Sequence, residues 1–323
     1  MAFPSSITDI VATTIQSRSR TIADNVTKNN ALLMKLSERG NRKPFSGGNV
    51  ILQELSFAQN GNGGWYSGYD LLPVAAQDVI SAAEFQIKQL ACPVTISGLE
   101  TLQNAGREQM IDLLEARIAV GEATMANLLA AGLYSDGTGS GGKELTGLNA
   151  AVPINPATGT YGGIDRSATV GTFWRSQVQT GTTLTAANIN TSLNLLYSTL
   201  VRGKNVPDLV VMGNDIWQLY MGFLQAQQRF TDPNTAKLGF PSVRFMTADV
   251  VLDGGIGNLV PTKTVFMLNT EYLFLRPHSA RDMVAISPDK RAAINQDAEV
   301  SILGWAGNLT CSGAQFQGRL IGS

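Results

Sequence analysis

Ala58-Gln59-Asn60-Gly61-Asn62-Gly63-Gly64-Trp65-Tyr66 is the stretch on which the reading of this chain turns. Two Asn-Gly steps supply the positive φ angles of tight turns. Val50-Ile51-Leu52 before them and Trp65, Tyr66 and Tyr69 after them suit extended arms, so a projecting β-hairpin is expected. A two-stranded hairpin is marginal by itself in water. Its order must come from packing on something else, and another copy of the chain would serve. From Pro44 to Ile87 there is no Lys or Arg and there are four acids, Glu54, Asp70, Asp78 and Glu84, a segment charge of −4.

The residues on the N-terminal side carry the opposite sign. Residues 1–43 hold seven Lys or Arg against three acids, or +4, with Arg18, Arg20 and Lys28 toward the start. Apolar residues from Ile7 to Leu36 recur at three- and four-residue steps and Gly40 closes the run, so one or two amphipathic helices are expected. On the C-terminal side, Ser97-Gly98-Leu99-Glu100 is a capping box that opens the longest helical pattern in the chain. Ile111, Leu114, Ile118, Gly121, Met125 and Leu128 follow on one stripe, and Gly132 stands where a helix would stop. Leu99 to Ala131 thus reads as a single spine helix of about 50 Å at 1.5 Å per residue.

A Pro/Gly-rich stretch then leads to a second lobe from about Gly181. Ile189, Leu193, Leu196 and Leu200 mark a helix, Leu209-Val210-Val211-Met212 a buried strand, and Asn214 the cap of a helix through Ile216, Tyr220 and Phe223. Strands are expected around Val243 to Val251, Thr264 to Leu268, Tyr272 to Leu275 and Ala298 to Ile302, resuming through Leu309 and Cys311 to Leu320. No internal repeat is present.

Composition narrows the chemistry. Of 323 residues, 44% are hydrophobic and 15% charged, with a net charge of −1, so the chain folds and has no broad basic surface for nucleic acid. One histidine and two cysteines exclude Cys/His zinc clusters and CxxC pairs. The first 20 residues lack an apolar secretory core, and Leu113 to Leu133 carries Glu115, Arg117 and Glu122, so a cytoplasmic, reduced chain without a membrane span is expected.

Each remaining motif has a plainer reading. Gly137-Thr138-Gly139-Ser140-Gly141-Gly142-Lys143 starts like a P-loop, but Glu144 stands where Ser or Thr must hold magnesium, and the loop follows a helix. His278 has Ser279 and Asp282 nearby, whereas a triad is assembled from distant segments, so a turn histidine is expected. Cys92 and Cys311 read as inert thiols, and Glu108, Asp112, Glu115 and Glu122 as a solvated or interfacial helix face. Gly213-Asn214 reads as a capped turn, with an anion site at the helix start as its sharper alternative. No catalytic, cofactor-binding or metal-binding residue is assigned.

In this order the parts resemble the tailed-bacteriophage major capsid proteins of the HK97-like fold. Leu145-Thr146-Gly147-Leu148-Asn149, Tyr161-Gly162-Gly163-Ile164-Asp165-Arg166-Ser167 and Phe173-Trp174-Arg175 are similar to segments of many such sequences. The resemblance implies an α+β chain with an N-terminal arm (1–43), an extended E-loop (44–88) and a P-domain (89–180) with the spine helix at 99–131. It further implies a mixed α/β A-domain (181–292) and a return to P-domain strands (293–323). Function by resemblance is a non-enzymatic shell subunit that forms pentamers and hexamers of a virion capsid, assembled in the host cytoplasm around double-stranded DNA. The implied partners are further copies, a scaffolding protein, a portal, decoration proteins, and DNA held by weak non-specific contact.

In that scheme Asn60, Gly61, Asn62, Gly63, Trp65 and Tyr66 at the E-loop tip make inter-subunit contacts, and Arg18, Arg20 and Lys28 of the arm face a neighbour or the lumen. Some relatives join subunits through an E-loop lysine, which residues 44–87 lack, so the shell is expected to be non-covalent. About 40 residues before the hairpin leave little room for a cleavable scaffolding region, so a separate scaffold is expected. The alternatives are an encapsulin-like compartment carrying protein cargo, and a small-molecule enzyme using the second lobe.

Overall fold

The computed structural model describes residues 30–103, 107–226, 242–253, 259–286, 291–292 and 298–323. In chain order, helix α1 (Ala31–Glu38) precedes strands β1 (Val50–Ser56), β2 (Ile80–Gln86) and β3 (Lys88–Ser97). Helices α2 (Gly98–Gln103), α3 (Arg107–Leu133) and α4 (Leu148–Ala151) lead to β4 (Thr160–Tyr161), β5 (Ile164–Asp165) and β6 (Gln177–Thr182). Helix α5 (Ile189–Leu200), β7 (Leu209–Met212), α6 (Asn214–Ala226), β8 (Ser242–Phe245), β9 (Ala248–Leu252) and β10 (Thr264–Leu268) follow. The chain ends with β11 (Leu273–Pro277), β12 (Val284–Ala285), β13 (Arg291–Ala292), β14 (Ala298–Cys311) and β15 (Gly318–Gly322).

The capping box forms as read: Glu100 N donates to Ser97 Oγ at 3.3 Å and Ser97 N to Glu100 Oε2 at 3.1 Å. The spine is described as two helical segments, α2 and α3, with residues 104–106 outside the described residues. Gly132 does not end it. A Cβ there would sit 2.8 Å from Leu145 Cδ1, so this glycine makes room for close packing inside the helix. The buried stripe runs through Ile118, Gly121, Met125, Leu129 and Leu133, while Leu128 is 48% exposed. After Met125 the stripe steps four residues to the buried Leu129, where the expected step of three would have taken Leu128. The expected stripe positions Ile111 and Leu114 lie outside the residues whose side chains are described.

The stripe lies on β3, the edge strand of a five-stranded sheet around β14. Ten positions of β14 pair with β3, from Ala298↔Ser97 to Gly307↔Lys88, and β11, β12 and β13 share its other side. Pro93 sits within β3, where an edge tolerates a missing N–H. The final strand does not return to this sheet. Ser312 and the 3-10 turn Ala314–Phe316 break the apparent run from Leu309 to Leu320, and β15 enters a six-stranded sheet of order β6-β15-β10-β7-β9-β8.

That mixed sheet is a wall between two apolar cores. Leu209, Val211, Phe266 and Leu268 face the core shared with the spine and hairpin base; Val210, Met212, Val265 and Met267 face α5 and α6. The period-two alternation of a strand makes one run of apolar residues serve both. The α5 face read from the sequence is there, with Ile189, Leu193, Leu196 and Leu200 all buried.

Helix α1 straps the wall. The Asn30 side chain caps it, accepting from Leu32 N at 2.9 Å and Leu33 N at 3.2 Å, and Gly40 ends it at φ +70°. Leu32, Leu33 and Leu36 are buried, each contributing roughly 1.5–3 kcal/mol. Asn30 Nδ2 also donates to the Asp253 carboxylate, which accepts from the Tyr134 hydroxyl as well.

Two buried arginines join the lobes at α4. Arg166, 2% exposed, donates to the carbonyls of Ala150, Ala151 and Trp174, and its guanidinium lies 4.9 Å from the Tyr161 ring centre. From β15, Arg319 donates to Asn149 Oδ1 and the Val152 carbonyl. Carbonyls at a helix C-terminus lack intrahelical donors and carry partial negative charge, so two cations there neutralise what burial would otherwise leave unmet.

Replacing Arg166 by Met strands two buried carbonyls, of Ala151 and Trp174, and the part-buried one of Ala150, and is expected to lower unfolding free energy by about 3–5 kcal/mol. Arg166→Lys restores little, because one ammonium does not span the fork geometry; denaturant melts of the three proteins check both statements. Burial lifts the Asp253 carboxyl above its ordinary range, against the hydrogen bonds from Tyr134 and Asn30. The folded chain therefore holds this proton more tightly than the unfolded chain does, and ionising it costs stability as pH rises from about 3.8 through the raised value. Asp253→Asn removes the cost, so the variant gains on the unsubstituted protein across that window and the difference is level above it. Urea melts at a series of pH values test this; a difference that moves the other way refutes it.

Candidate assembly surface

The hairpin begins where its sequence pattern says but returns later. β1 pairs with β2 from Val50↔Gln86 to Ser56↔Ile80, and residues 57–79 form a long loop between them. Trp65, Tyr66 and Tyr69, expected in the return arm, lie in this loop, since no facing strand offers them a surface to cover. Gly61, Gly63 and Gly64 do not adopt positive φ; the turn closes through Gly63 N to Asn60 O at 3.1 Å and Asn62 N to Asn60 Oδ1 at 2.9 Å. Asn62 Nδ2 then donates to the Ala75 carbonyl and draws the two sides of the loop together.

The base is fixed and the far end is bare. Ile51, Leu55, Ala83 and Phe85 are buried, Phe85 packs edge-on against Tyr161 at 5.2 Å, and Glu84 N donates to Gly162 O at 2.9 Å. Gly162, at φ +57°, approaches so closely that a Cβ would lie 2.9 Å from Ala83 Cβ. Beyond the base, Trp65, Tyr69 and Leu71 are essentially fully exposed, Val74 nearly so, and Tyr66, Leu72 and Ile80 mostly. Asp70 and Asp78 stand exposed among them, in a segment without cations. The tip residues Asn60, Gly61 and Gly63 are exposed and Asn62 is half-buried. Exposed large apolar residues gathered in one loop make it the candidate interaction surface.

Arg18, Arg20 and Lys28 lie outside the described residues. The other four cations of the arm are committed within the chain: Lys35 pairs with Asp249 at 2.6 Å, Arg39 with Asp208 at 3.0 Å and Arg42 with Asp282 at 2.5 Å, while Lys43 lies over the Phe274 ring. The sequence signal is a run of basic residues; its acidic partners, more than 160 positions away, are visible only in the fold.

The other candidates resolve locally. His278 Nδ1 accepts from Ala280 N at 3.1 Å and its ring packs on Phe45, while Asp282 is taken by Arg42. Glu144 accepts from Ser135 Oγ and Ser140 Oγ, so its own carboxylate occupies the loop that resembles a phosphate cradle. At the start of α6, the Asp215 carboxylate accepts from Lys263 N and supplies negative charge beside the helix end. Cys311 is buried, which pushes its thiol up to about 12, and Cys92 is half-buried with its thiol also raised. Glu122 is half-buried; the side chains of Glu108, Asp112 and Glu115 lie outside those described. Among the described residues no group of His, Cys, Asp and Glu could hold a metal ion, and no helix is long and apolar enough to cross a membrane. Arg166 and Trp174, present above only within family-like segments, and Arg319, present in none, tie the hairpin base to the spine.

No protein-family model and no curated protein matches the sequence. Solved structures do. The capsid of cyanophage A-1(L) superposes at a TM-score of 0.64 with 18% identity, over 89% of this chain and 92% of that one. The capsid of a native GTA particle gives 0.61 with 14% identity, over 89% and 90%. An encapsulin complex of Synechococcus elongatus gives 0.52 with 8% identity, over 89% and 86%. Coverage near nine-tenths on both sides makes this a likeness of nearly the whole chain: the chain has the HK97-like fold of phage major capsid proteins.

Proposed function

We propose that this protein is the repeating subunit of a non-enzymatic phage-type capsid, closing into pentamers and hexamers around double-stranded DNA. The observation that carries the reading is the loop 57–79, an uncovered apolar surface on a hairpin whose base is locked to the body. The parts are assigned as arm 1–43, E-loop 44–88, P-domain 89–180 and 293–323, and A-domain 181–292, with the C-terminal strand β15 crossing into the six-stranded sheet. Further copies are the main partners; scaffolding protein, portal, decoration proteins and loosely held DNA complete the set. Arg18, Arg20 and Lys28 are the arm cations left to face a neighbour or the lumen. With a net charge of −1, DNA contact is local. The encapsulin likeness supports a second reading, a compartment with protein cargo.

Light scattering and electron microscopy on the protein, expressed with and without its neighbouring genes, test this. Shells or five- and six-membered rings are expected, and their contents, DNA or protein, separate the two readings. A monomer in the presence of those neighbours refutes both. Because residues 44–87 lack lysine, the particles are expected to dissolve in hot detergent to chains of 34.4 kDa; a ladder of linked chains overturns the non-covalent shell. Deleting Asn60–Gly64 is expected to leave the unfolding midpoint unchanged and to reduce particle yield, measured on the same preparations.

A further inference from the structure

The sequence holds two Asn-Gly steps, Asn60-Gly61 and Asn62-Gly63, and both stand in the loop 57–79. An asparagine before glycine is the step most open to attack by a main-chain nitrogen on the side-chain amide. Glycine has no Cβ to shield its own N–H, and its backbone is free to turn toward the ring that forms. The two steps differ in how their atoms are held. Gly63 N, the nucleophile for Asn62, donates to Asn60 O at 3.1 Å, and the Asn62 amide is tied through Nδ2 to the Ala75 carbonyl at 2.5 Å. Gly61 N, the nucleophile for Asn60, has no hydrogen-bond partner among the described residues, and neither has Asn60 Nδ2. Asn60 Oδ1 instead accepts from Asn62 N at 2.9 Å. That donor polarises the side-chain carbonyl and stands where negative charge develops when the carbonyl is attacked.

We infer that Asn60 is a self-modification site, converting through a succinimide to aspartate and isoaspartate, and that the conversion retires subunits that have not assembled. The loss of assembly rests on the shell reading; the conversion does not. Hydroxide takes the proton of Gly61 N, and the nitrogen attacks Asn60 Cγ. The N–Cγ bond forms as charge gathers on Oδ1 against Asn62 N. Collapse breaks the Cγ–Nδ2 bond, and Nδ2 leaves as ammonia with a proton from water. A water then opens the cyclic imide at either carbonyl, so the net change consumes water and releases ammonia, with no redox step. Either product adds a carboxylate, which takes residues 44–87 from −4 to −5. Isoaspartate also reroutes the main chain through Cβ and Cγ. The carbonyl that accepts from Gly63 N then leaves the main chain, and the Asn62 bond to Ala75 loses its register. The hairpin base, held by Phe85 and Glu84, is untouched, so a converted subunit stays folded and presents a different tip.

The test holds purified chain at neutral and at mildly alkaline pH and samples it for peptide mapping, with fragment ions assigning the amide-to-acid mass change to position 60 or 62. Conversion is expected about tenfold faster at Asn60 than at Asn62, a small share of what a buried oxyanion donor gives because this one stands in water. It is expected to quicken at the higher pH and to yield isoaspartate among its products. Asn60→Ser keeps a side-chain oxygen for the N–H two residues on and cannot close the ring. Aged Asn60→Ser is expected to assemble with the products of the neighbouring genes as well as fresh protein, whereas aged unsubstituted chain loses most of its particle yield. Equal or faster conversion at Asn62, or conversion at Asn60 that Gly61→Ala does not slow, overturns the site. Chain converted at Asn60 that assembles like fresh chain overturns the retirement. A fresh chain that forms no particle with its neighbours present overturns the shell reading and the loss of assembly with it, while the mapping still decides the site.

Discussion

The Arg166 guanidinium, buried without a carboxylate partner and spread over three carbonyls, is the constraint on which the remaining geometry depends. Burial lowers its pKa, yet an arginine so placed keeps its charge, so its donors must be used or the site is lost. It fixes the end of α4 to Trp174, whose indole donates to Tyr161 O and stacks on the Tyr161 ring. Tyr161 in turn meets Phe85 at the base of the hairpin. Asn149, one turn back on α4, donates to the carbonyl of Tyr134 just past the spine and accepts from Arg319 of the last strand. Hairpin, spine and C-terminal strand therefore meet at a few polar groups with strict directions. Gly147 shows how tight the meeting is, since a Cβ there would lie 2.4 Å from Leu133 O.

What the sequence made legible follows from how local each signal is. The capping box at Ser97 and Glu100 involves neighbours three residues apart and formed as read. Uninterrupted apolar runs such as Leu209 to Met212 identified strands buried on both faces, because only a sheet covered twice needs every side chain apolar. Errors arose where one residue type answers two needs. Gly132 looked like a helix stop and is a packing residue against Leu145. Trp65, Tyr66 and Tyr69 have strand-like propensity, but that propensity measures packing on neighbours, and here the subunit supplies none.

The candidate surface was half legible for the same reason. A cation-free stretch rich in Asn, Gly and aromatics marked the loop, and Leu71-Leu72 and Val74 just beyond it strengthen the signal once the true return strand is known. The basic arm read as one unit and is divided: Lys35, Arg39 and Arg42 answer Asp249, Asp208 and Asp282, acids whose proximity depends on both sheets being in place. Such pairs, partly exposed, add little stability singly. Their role is positional, since with the Asn30–Asp253 bond they hold α1 across elements far apart in sequence. Arg166 carried no sequence signal beyond membership of a familiar-looking segment, and Arg319 carried none, because a buried arginine is spelled like an exposed one.

Why a cation and carbonyls, where an apolar plug would fill the same space, has an answer in the hairpin's length. A lever anchored at its base multiplies any angular slack there by the reach of its arms, and residues 57–79 lie roughly 20 Å out. Apolar contacts are non-directional and tolerate sliding, whereas several hydrogen bonds to one planar guanidinium fix the direction of the segment on which the hairpin base packs. In the proposed shell every copy must present its loop at the same angle, because an error repeated around a ring prevents closure. A stiff knot of directed hydrogen bonds under a bare apolar lever is the arrangement that lets weak contacts, each repeated around the particle, add up in one direction.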